Sequence, residues 1–284
     1  MVNPGVIESV VPKFGRSASI AIFGAHPDDA VRACGGVMLR ALSAGASLTV
    51  VKATDGAALY GPEGISKGVL TALARREEEL RALEVLGVNR ESLMLLGFPD
   101  GGLEALRNSY YPPDGMPYFD PWLAGDHVNL DGTYRRGARF FGYSLAQVVA
   151  EIVERCQPTH VFTHQSQDRH PDHRAMTFFV KAAISELLLD HRLAGVPAIF
   201  EYLTYHTRLK WPANPGARIA AQRAIELGLP GRVVDFRLSP EEVAIKNKAQ
   251  ECFVPILGRA YMDPWMRSNE IYWRTDLFDG VRKP

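Results

Sequence analysis

The chain has 284 residues, of which 46% are hydrophobic and 23% are charged, a balance typical of soluble globular proteins. This length allows one large α/β domain or two smaller ones. Lys plus Arg equals Asp plus Glu at 32 each, so net charge gives no reason to expect nucleic acid or an anionic membrane as a partner.

Cysteine usage and the N-terminus bear on the compartment. The three cysteines (Cys34, Cys156 and Cys252) are far apart and form no CxxC pair, which favours a reducing compartment. Residues 1–17 lack the basic segment and apolar core of a signal peptide, and no apolar run is long enough to cross a bilayer. We therefore expect a cytoplasmic protein without a transmembrane segment. The oligomeric state stays open, with a homo-oligomer as one option.

Apolar runs and amphipathic stretches alternate along the chain. In chain order the predicted elements are strand Ser19–Gly24, helix Val31–Ala44, strand Leu48–Ala53, helix Thr71–Leu86, strand Ser92–Leu96, helix Ser144–Cys156, strand His160–His164, helix Ala175–Leu189, strands Ile199–Tyr205 and Arg232–Phe236, and a last helix opened by a capping box at Ser239–Glu242. Strands that alternate with helices predict an α/β fold with a Rossmann-like, mostly parallel sheet and helices on both faces.

Residues 101–143 interrupt this alternation. They are rich in Pro, Gly and aromatic residues and show no clear period. A long segment of this kind is usually functional or disordered, and its aromatic residues argue against disorder. We expect an irregular insert over the rim formed by the carboxyl ends of the strands, where Tyr118 and Trp122 either form a lid over a sugar or simply pack on the sheet.

We treat residues 1–284 as a single domain. The C-terminal extension, about 195–284, is expected to continue the sheet and to add to the wall of the pocket.

Two polar motifs follow the ends of predicted strands. The motif His26-Pro27-Asp28-Asp29 follows the first strand, and the stretch "THQSQDRHPDH" (Thr163–His173) begins at the end of the fourth. In the common strand order 3-2-1-4-5 the first and fourth strands are neighbours at the switch point where ligands bind. We therefore expect the two motifs to meet in one crevice.

Histidines and carboxylates in such a crevice suit a metal. Two imidazoles and one carboxylate with an open fourth position are typical of hydrolytic zinc sites. Zinc lowers the pKa of a bound water from 15.7 to about 7, and a neighbouring carboxylate can take the remaining proton and return it to a leaving amine. Alone, the stretch His26–Asp29 would more often be a helix-start turn, because Asp caps helices. The second histidine motif favours the metal site.

The motifs "AHPDDAVRACGG" and "HPDH" resemble the two signatures of the LmbE-like (PIG-L) de-N-acetylases, which remove N-acetyl groups from amino sugars. Three intermediate segments agree in order: "TDG" at Thr54–Gly56, "RREEELRALEVLGV" at Arg75–Val88 and "GFPDGGL" at Gly97–Leu103. The resemblance spans roughly Ser17–Leu188. It implies a zinc-dependent hydrolase that releases acetate and a free amine from an N-acetylated sugar or glycoconjugate.

The resemblance also implies roles for individual residues. One departure is Ala30, which stands where the family usually has Glu; the missing side chain is neither a ligand nor the base, so the catalytic interpretation is kept. The implied zinc ligands are His26, Asp29 and His173, the general base and then acid is Asp28, the residue that helps to stabilise the oxyanion is His170 with Asp172 orienting it, and the sugar contacts are Arg75 and Asp100.

Several alternatives stay open. One is a zinc amidase acting on a non-sugar acyl amide, and another is a non-catalytic metal-binding Rossmann-like module, although such a module has no use for Asp28. His164 is an alternative ligand, but a strand-end histidine satisfied by the backbone is favoured. Gly142–Ala146 approximates the elbow of serine hydrolases, yet the spacing of Ser144 and Gln147 predicts a helix cap instead.

Overall fold

The structure, a computed structural model, describes residues 14–59, 66–205 and 217–277. The strands within these ranges are β1 (Ser19–Gly24), β2 (Ser47–Thr54), β3 (Leu93–Phe98), β4 (His160–His164), β5 (Ala198–Tyr202), β6 (Arg232–Arg237) and β7 (Asn269–Thr275). The helices are α1 (Asp29–Ser43), α2 (Val69–Val85), α3 (Leu103–Asn108), α4 (Gly142–Cys156), α5 (Pro171–Leu189), α6 (Ala217–Glu226), α7 (Pro240–Glu251), α8 (Val254–Leu257) and α9 (Arg259–Met262).

The strands form a mostly parallel sheet in the order β3-β2-β1-β4-β5-β7-β6. Strand β1 is central and pairs in parallel with β2 and β4. Successive side chains of a strand point to opposite faces, and β1 places Ile20 and Ile22 in one core and Ala21 and Phe23 in the other. The first core packs against α1 and α2, and the second against α4 and α5. The predicted Rossmann-like α/β fold is confirmed.

The C-terminal part continues the sheet with reversed strand direction. Strand β7 lies between β5 and β6 and is antiparallel to both. The predicted strand at Arg232–Phe236 is present as β6, whereas β7 was not predicted. The buried residues Ile271 and Trp273 of β7 pack in a small third core with α6.

The two helices that follow the polar motifs begin earlier than predicted. Helix α1 starts at Asp29 rather than Val31, and α5 starts at Pro171 rather than Ala175. His170 caps α5, because its Nδ1 accepts a hydrogen bond from the backbone N–H of Asp172 (3.3 Å), and Pro171 occupies the first helical position. The polar motifs therefore extend into the first turns of two helices instead of lying only in loops.

Helix α1 is kinked at Cys34, which has non-helical angles (φ −128°, ψ 17°). The kink leaves backbone N–H groups that need other acceptors. The carboxylate of Glu270 on β7 accepts from Gly36 N (2.7 Å) and Val37 N (3.1 Å), and Lys246 Nζ lies 2.6 Å from the same carboxylate. Both charged side chains are 1% exposed. A buried ion pair therefore caps the second half of α1 from inside the protein.

The prediction that Ser144 caps α4 is wrong. The helix begins two residues earlier, at Gly142, after the N-cap position Phe141, which offers no side-chain acceptor. A Cβ atom on Gly142 would lie 2.3 Å from the carbonyl oxygen of Leu106, so glycine permits this close start. Ser144 lies within the first turn and no strand precedes it directly, which is not the geometry of a hydrolase elbow.

The insert combines α3 with irregular chain joined by two isolated bridges, Asp120–Gly125 and His127–Arg139. Its aromatic residues mostly pack on the protein: Phe140 is buried, and the ring of Tyr118 lies 5.5 Å from that of Tyr110. No helix in the described part of the chain is both long and apolar enough to cross a bilayer.

We predict that Glu270→Ala lowers the free energy of unfolding by about 3–5 kcal/mol, because it leaves the ammonium of Lys246 buried without its partner. Denaturant unfolding measures this loss. The matched control, Glu241→Ala, removes an exposed carboxylate of α7 and should change stability by less than about 0.5 kcal/mol. A loss below 1 kcal/mol for Glu270→Ala would show that the ion pair does not hold the kink.

Candidate metal centre and active site

The two polar motifs lie side by side at the carboxyl ends of β1 and β4. The backbone N–H of Ala25, just after β1, donates to Nε2 of His164 at the end of β4 (3.0 Å). Helices α1 and α5 start from these two ends. The expected convergence of the motifs is therefore present.

Three atoms from the predicted ligands form a compact triangle. Nδ1 of His26 lies 3.2 Å from Nε2 of His173 and 3.4 Å from Oδ2 of Asp29, and the latter two atoms are 3.5 Å apart. Ligand atoms about 2.0–2.2 Å from a tetrahedral zinc ion lie about 3.3–3.6 Å from one another. The triangle therefore has the size of one face of a zinc coordination tetrahedron.

Carboxylates lie beside the ring nitrogens of His26 and His173 that face away from the triangle. Nε2 of His26 lies 3.2 Å from both Asp100 Oδ1 and Asp172 Oδ2, and Nδ1 of His173 lies 3.2 Å from Asp168 Oδ1. In neutral rings these contacts favour an N–H on the outer nitrogen and a lone pair on the inner one. Carboxylates that bind the outer N–H of metal-ligating histidines are the usual support of such ligands. The donor set thus fits a zinc ion.

The pKa shifts of the three predicted ligands also favour a cation at this centre. Burial alone would lower the pKa of His26, but hydrogen bonds to Asp100, Asp172 and Asp29 raise it well above its usual range. Burial likewise opposes ionisation of Asp29, yet His173 and His164 hold its pKa well below the usual range. Burial and the neighbouring His164 lower the pKa of His173 to about 3. The carboxylates therefore draw a positive charge to the centre, either a proton on His26 or a metal ion.

Asp28 lies next to this centre but faces other partners. Its backbone has φ +96°, a conformation that is strained for any residue except glycine. Oδ2 accepts from Arg32 Nη1 (2.6 Å), and Oδ1 accepts from Arg75 Nη2 (2.9 Å). Burial raises the pKa of Asp28, although both guanidinium groups act in the opposite direction.

His170 is arranged as a neutral hydrogen-bond donor. Burial and the neighbouring His26 lower its pKa. Its Nδ1 accepts from the backbone N–H of Asp172, so its proton is on Nε2. Because His170 also lines the pocket, this N–H is available to a bound oxygen atom.

Asp172 contacts His170 through its backbone N–H, which donates to Nδ1 of that ring, whereas its carboxylate faces other partners. Asp172 is fully buried, and its carboxylate accepts from the backbone N–H groups of Gly101 (2.7 Å) and Leu103 (3.0 Å). Its remaining contact is with Nε2 of His26, at 3.2 Å. The insert thus reaches the centre through its backbone, and Asp172 contacts both histidines: its carboxylate lies against His26, and its backbone N–H holds His170.

A pocket of about 340 Å³ opens onto this centre, at the small end of the range for ligand sites. Arg75 and Asp100 both line it, but each already has protein partners: Arg75 donates to Asp28 and the carbonyl oxygen of Pro27, and Asp100 accepts from Ala58 N. The pocket has an apolar side as well. Its main members are Leu59, Tyr205, Ile256, Leu257 and Tyr261.

The aromatic residues of the insert are not among the residues that line this pocket in the described part of the chain. Trp122 instead lies against Lys67, whose Nζ is 4.3 Å from its ring centroid. The packing interpretation of the insert is thereby favoured over the lid.

Sequence reasoning missed Asp168. One of its oxygens contacts His173, and the other accepts from the backbone N–H groups of Thr204 (2.8 Å) and Tyr205 (3.1 Å). The available signal was its place within "QDRHPDH", five residues before His173.

Arg32, Tyr205 and Tyr261 were missed because their roles depend on tertiary packing. His164 is fully buried, and with Asp29 and His173 it forms a second group that could hold a metal ion. Its Nε2 lies 3.3 Å from Oδ2 of Asp29, but the hydrogen bond from Ala25 N occupies that nitrogen, which favours the set with His26.

The chain belongs to the GlcNAc-PI de-N-acetylase (PIG-L) family, whose sequence profile matches residues 21–184. No curated protein matches the chain by sequence. The segment that supplies Tyr205, Ile256 and Tyr261 lies beyond the matched residues.

Solved structures with the same fold include two deacetylases. N,N′-diacetylchitobiose deacetylase from Pyrococcus horikoshii is 17% identical, with a TM-score of 0.54 and coverage of 89% of this chain and 82% of that chain. The A40926 pseudoaglycone deacetylase Dbv21 is 19% identical, with a TM-score of 0.56 and coverage of 90% and 96%. The family supports a hydrolase of the deacetylase type, and these neighbours share the fold of this chain.

A third neighbour is GalB, the 4-carboxy-2-hydroxymuconate hydratase from Pseudomonas putida KT2440. It is 16% identical, with a TM-score of 0.52 and coverage of 88% of this chain and 82% of that chain. The fold by itself therefore does not determine which reaction is catalysed, and the function has to be inferred from the residues of the site.

We predict that zinc bound at this centre is lost as the pH falls, because the metal must displace the proton that the carboxylates attract to His26. The raised pKa of this ring means that the loss begins above about pH 6.5, the ordinary value for histidine. Metal content after dialysis between pH 8 and pH 5, with circular dichroism to confirm folding, measures the effect. A zinc content that stays constant to pH 5 would contradict the assignment of His26 as a ligand.

Proposed function

We propose that the protein is a zinc-dependent hydrolase that removes an N-acetyl group from an amino sugar or glycoside and releases acetate and a free amine. The observation that carries this proposal is the triangle of His26 Nδ1, Asp29 Oδ2 and His173 Nε2, with Asp28 beside it in the same pocket. These three atoms would hold the zinc ion. When bound, zinc would supply Lewis-acid activation of water and of the amide carbonyl.

Asp28 would move the proton in this reaction. Its carboxylate would accept a proton from the attacking water and pass it to the nitrogen of the leaving amine, which must be protonated to depart. Its position in the pocket next to Asp29 supports this role. Raising of its pKa by burial also supports it, because a buried carboxylate holds a proton more readily than an exposed one.

His170 would act on the carbonyl oxygen. The N-cap hydrogen bond occupies Nδ1 and so favours a proton on Nε2, and the lowered pKa of His170 keeps the ring neutral. A neutral N–H aimed at an oxygen that gains negative charge stabilises the transition state more than the ground state. In this proposal Asp172 supports the ligand His26.

Arg75 and Asp100 are proposed to face the sugar, since both line the pocket. The apolar side, formed mainly by Leu59, Ile256 and Leu257, supports contact with the C–H face of a sugar ring or with an apolar substituent. A pocket of about 340 Å³ accommodates a small ligand rather than an extended chain.

The same apolar side favours a second candidate function, hydrolysis of a non-sugar acyl amide by the same residues. An amine-release assay over matched N-acetylated sugars, glycosides and simple acetylated amines separates the two. With zinc content near one per chain, the proposal expects release from a sugar or glycoside that is lost on chelation and restored by divalent metal. Release only from non-sugar amides would favour the second candidate, and full activity in metal-free protein would contradict both.

Variants of the two neighbouring aspartates test their separate roles. Asp29→Ala should lose zinc and activity together, because it removes a ligand. Asp28→Asn should keep zinc but lower kcat by about 10²–10⁴-fold, the usual contribution of general acid–base catalysis. Metal analysis and steady-state kinetics make the comparison, and Asp235→Asn, a buried aspartate on β6, is the control with unchanged kcat. If Asp28→Asn empties the site, or Asp29→Ala keeps its metal, the two roles are wrongly assigned.

A further inference from the structure

Arg32 is a buried charge that the proposed chemistry does not use. It lies on α1, one turn after Asp28, and its side chain is 1% exposed. Asp28 lines the pocket, whereas Arg32 is not among the lining residues in the described part of the chain. Burying a guanidinium costs hydration free energy, so the contacts of Arg32 must offset this desolvation cost.

Arg32 and Arg75 hold opposite oxygens of one carboxylate. Arg32 Nη1 donates to Oδ2 of Asp28 (2.6 Å), and Arg75 Nη2 donates to Oδ1 (2.9 Å). Two donors on two oxygens fix the rotation of the carboxylate plane as well as its position. Because the backbone of Asp28 is strained at φ +96°, its conformation persists only where the surroundings hold it.

Arg32 is itself held by the C-terminal part of the chain. Its Cζ atom lies 4.5 Å from the ring centroid of Tyr261 and 4.8 Å from that of Trp265. Cation–π contacts are strongest where the guanidinium is withdrawn from water, as it is here. Both rings lie beyond the residues that the family profile matches. The C-terminal segment therefore reaches the Asp28 carboxylate through Arg32.

We propose that Arg32 is a positioning residue: it fixes the orientation of the Asp28 carboxylate toward the pocket, and the rings of Tyr261 and Trp265 fix Arg32. The consequence for catalysis rests on the proposed function, which makes Asp28 the proton carrier. The effect of Arg32 on the orientation of the Asp28 carboxylate does not depend on the proposed function.

Arg32→Met tests the proposal, because Met keeps much of the volume and removes both the charge and the donor. We expect kcat to fall about 10–100-fold, since small misplacements of catalytic groups cost about 10²-fold, with KM and zinc content unchanged. A crystal structure of the variant should show the Asp28 carboxylate rotated away from its wild-type position. That readout does not depend on activity.

The matched control is Arg40→Met. Arg40 also lies on α1, also pairs with a carboxylate (Glu242, 2.7 Å) and also packs on a ring (Phe236, 4.5 Å), but it is not among the residues that line the pocket. It should leave kcat and the orientation of Asp28 unchanged. If Arg32→Met does not fold, Arg32→Lys supplies the same test, because a single ammonium cannot reproduce the planar donor geometry and kcat should still fall.

An unchanged kcat together with an unrotated Asp28 in a folded, zinc-bound Arg32 variant overturns the proposal. A raised KM with unchanged kcat also overturns it, because Arg32 would then act in substrate binding. If wild-type protein releases no amine from any substrate, the proposed function fails instead, and the orientation of Asp28 in the crystal structures still decides the role of Arg32.

Discussion

The centre of this protein is governed by the repulsion of three lone pairs that are forced together in a buried place. His26, Asp29 and His173 direct acceptor atoms at one another across 3.2–3.5 Å. Lone pairs at such distances repel one another, and burial weakens the screening that water would provide. Outer carboxylates favour imidazole protons on the side away from the centre, and a cation between the three atoms would relieve the repulsion. The rest of the site can be understood as support for that cation.

The fold supplies the support in two parts. The neighbouring strands β1 and β4 and the first turns of α1 and α5 set the three acceptors, and all of them lie within the residues that the family profile matches. The C-terminal part reaches α1 twice. Glu270 of β7 caps its kink, and Tyr261 and Trp265 hold Arg32 against Asp28. The proposed metal ligands therefore lie within the part of the chain that the family profile matches, while the position of Asp28, the proposed proton carrier, depends on the strands and helices beyond it.

The sequence predicted the arrangement where simple periodicity decides it. Alternating strands and helices imply a parallel sheet, and a parallel sheet brings the carboxyl ends of its first and fourth strands together, so the meeting of His26 and His173 follows from topology. The partners of the Asp172 carboxylate could not be predicted in this way. Gly101 and Leu103 lie at the start of the insert, which has no hydrophobic periodicity from which its path could be predicted. Glu270 was missed because its partners, Lys246 and the N–H groups of α1, lie far from it in the sequence. Arg32 lies only one turn after Asp28, but the rings that hold it, Tyr261 and Trp265, are far along the chain, so its burial leaves no local pattern.

The most direct measurement is anomalous diffraction at the zinc edge from crystals of the protein grown with zinc. We expect a single strong peak in the pocket, with bonds of about 2.0–2.2 Å to Nδ1 of His26, Oδ2 of Asp29 and Nε2 of His173. A peak bound by His164 in place of His26, or no peak between these three side chains at saturating zinc, would contradict it.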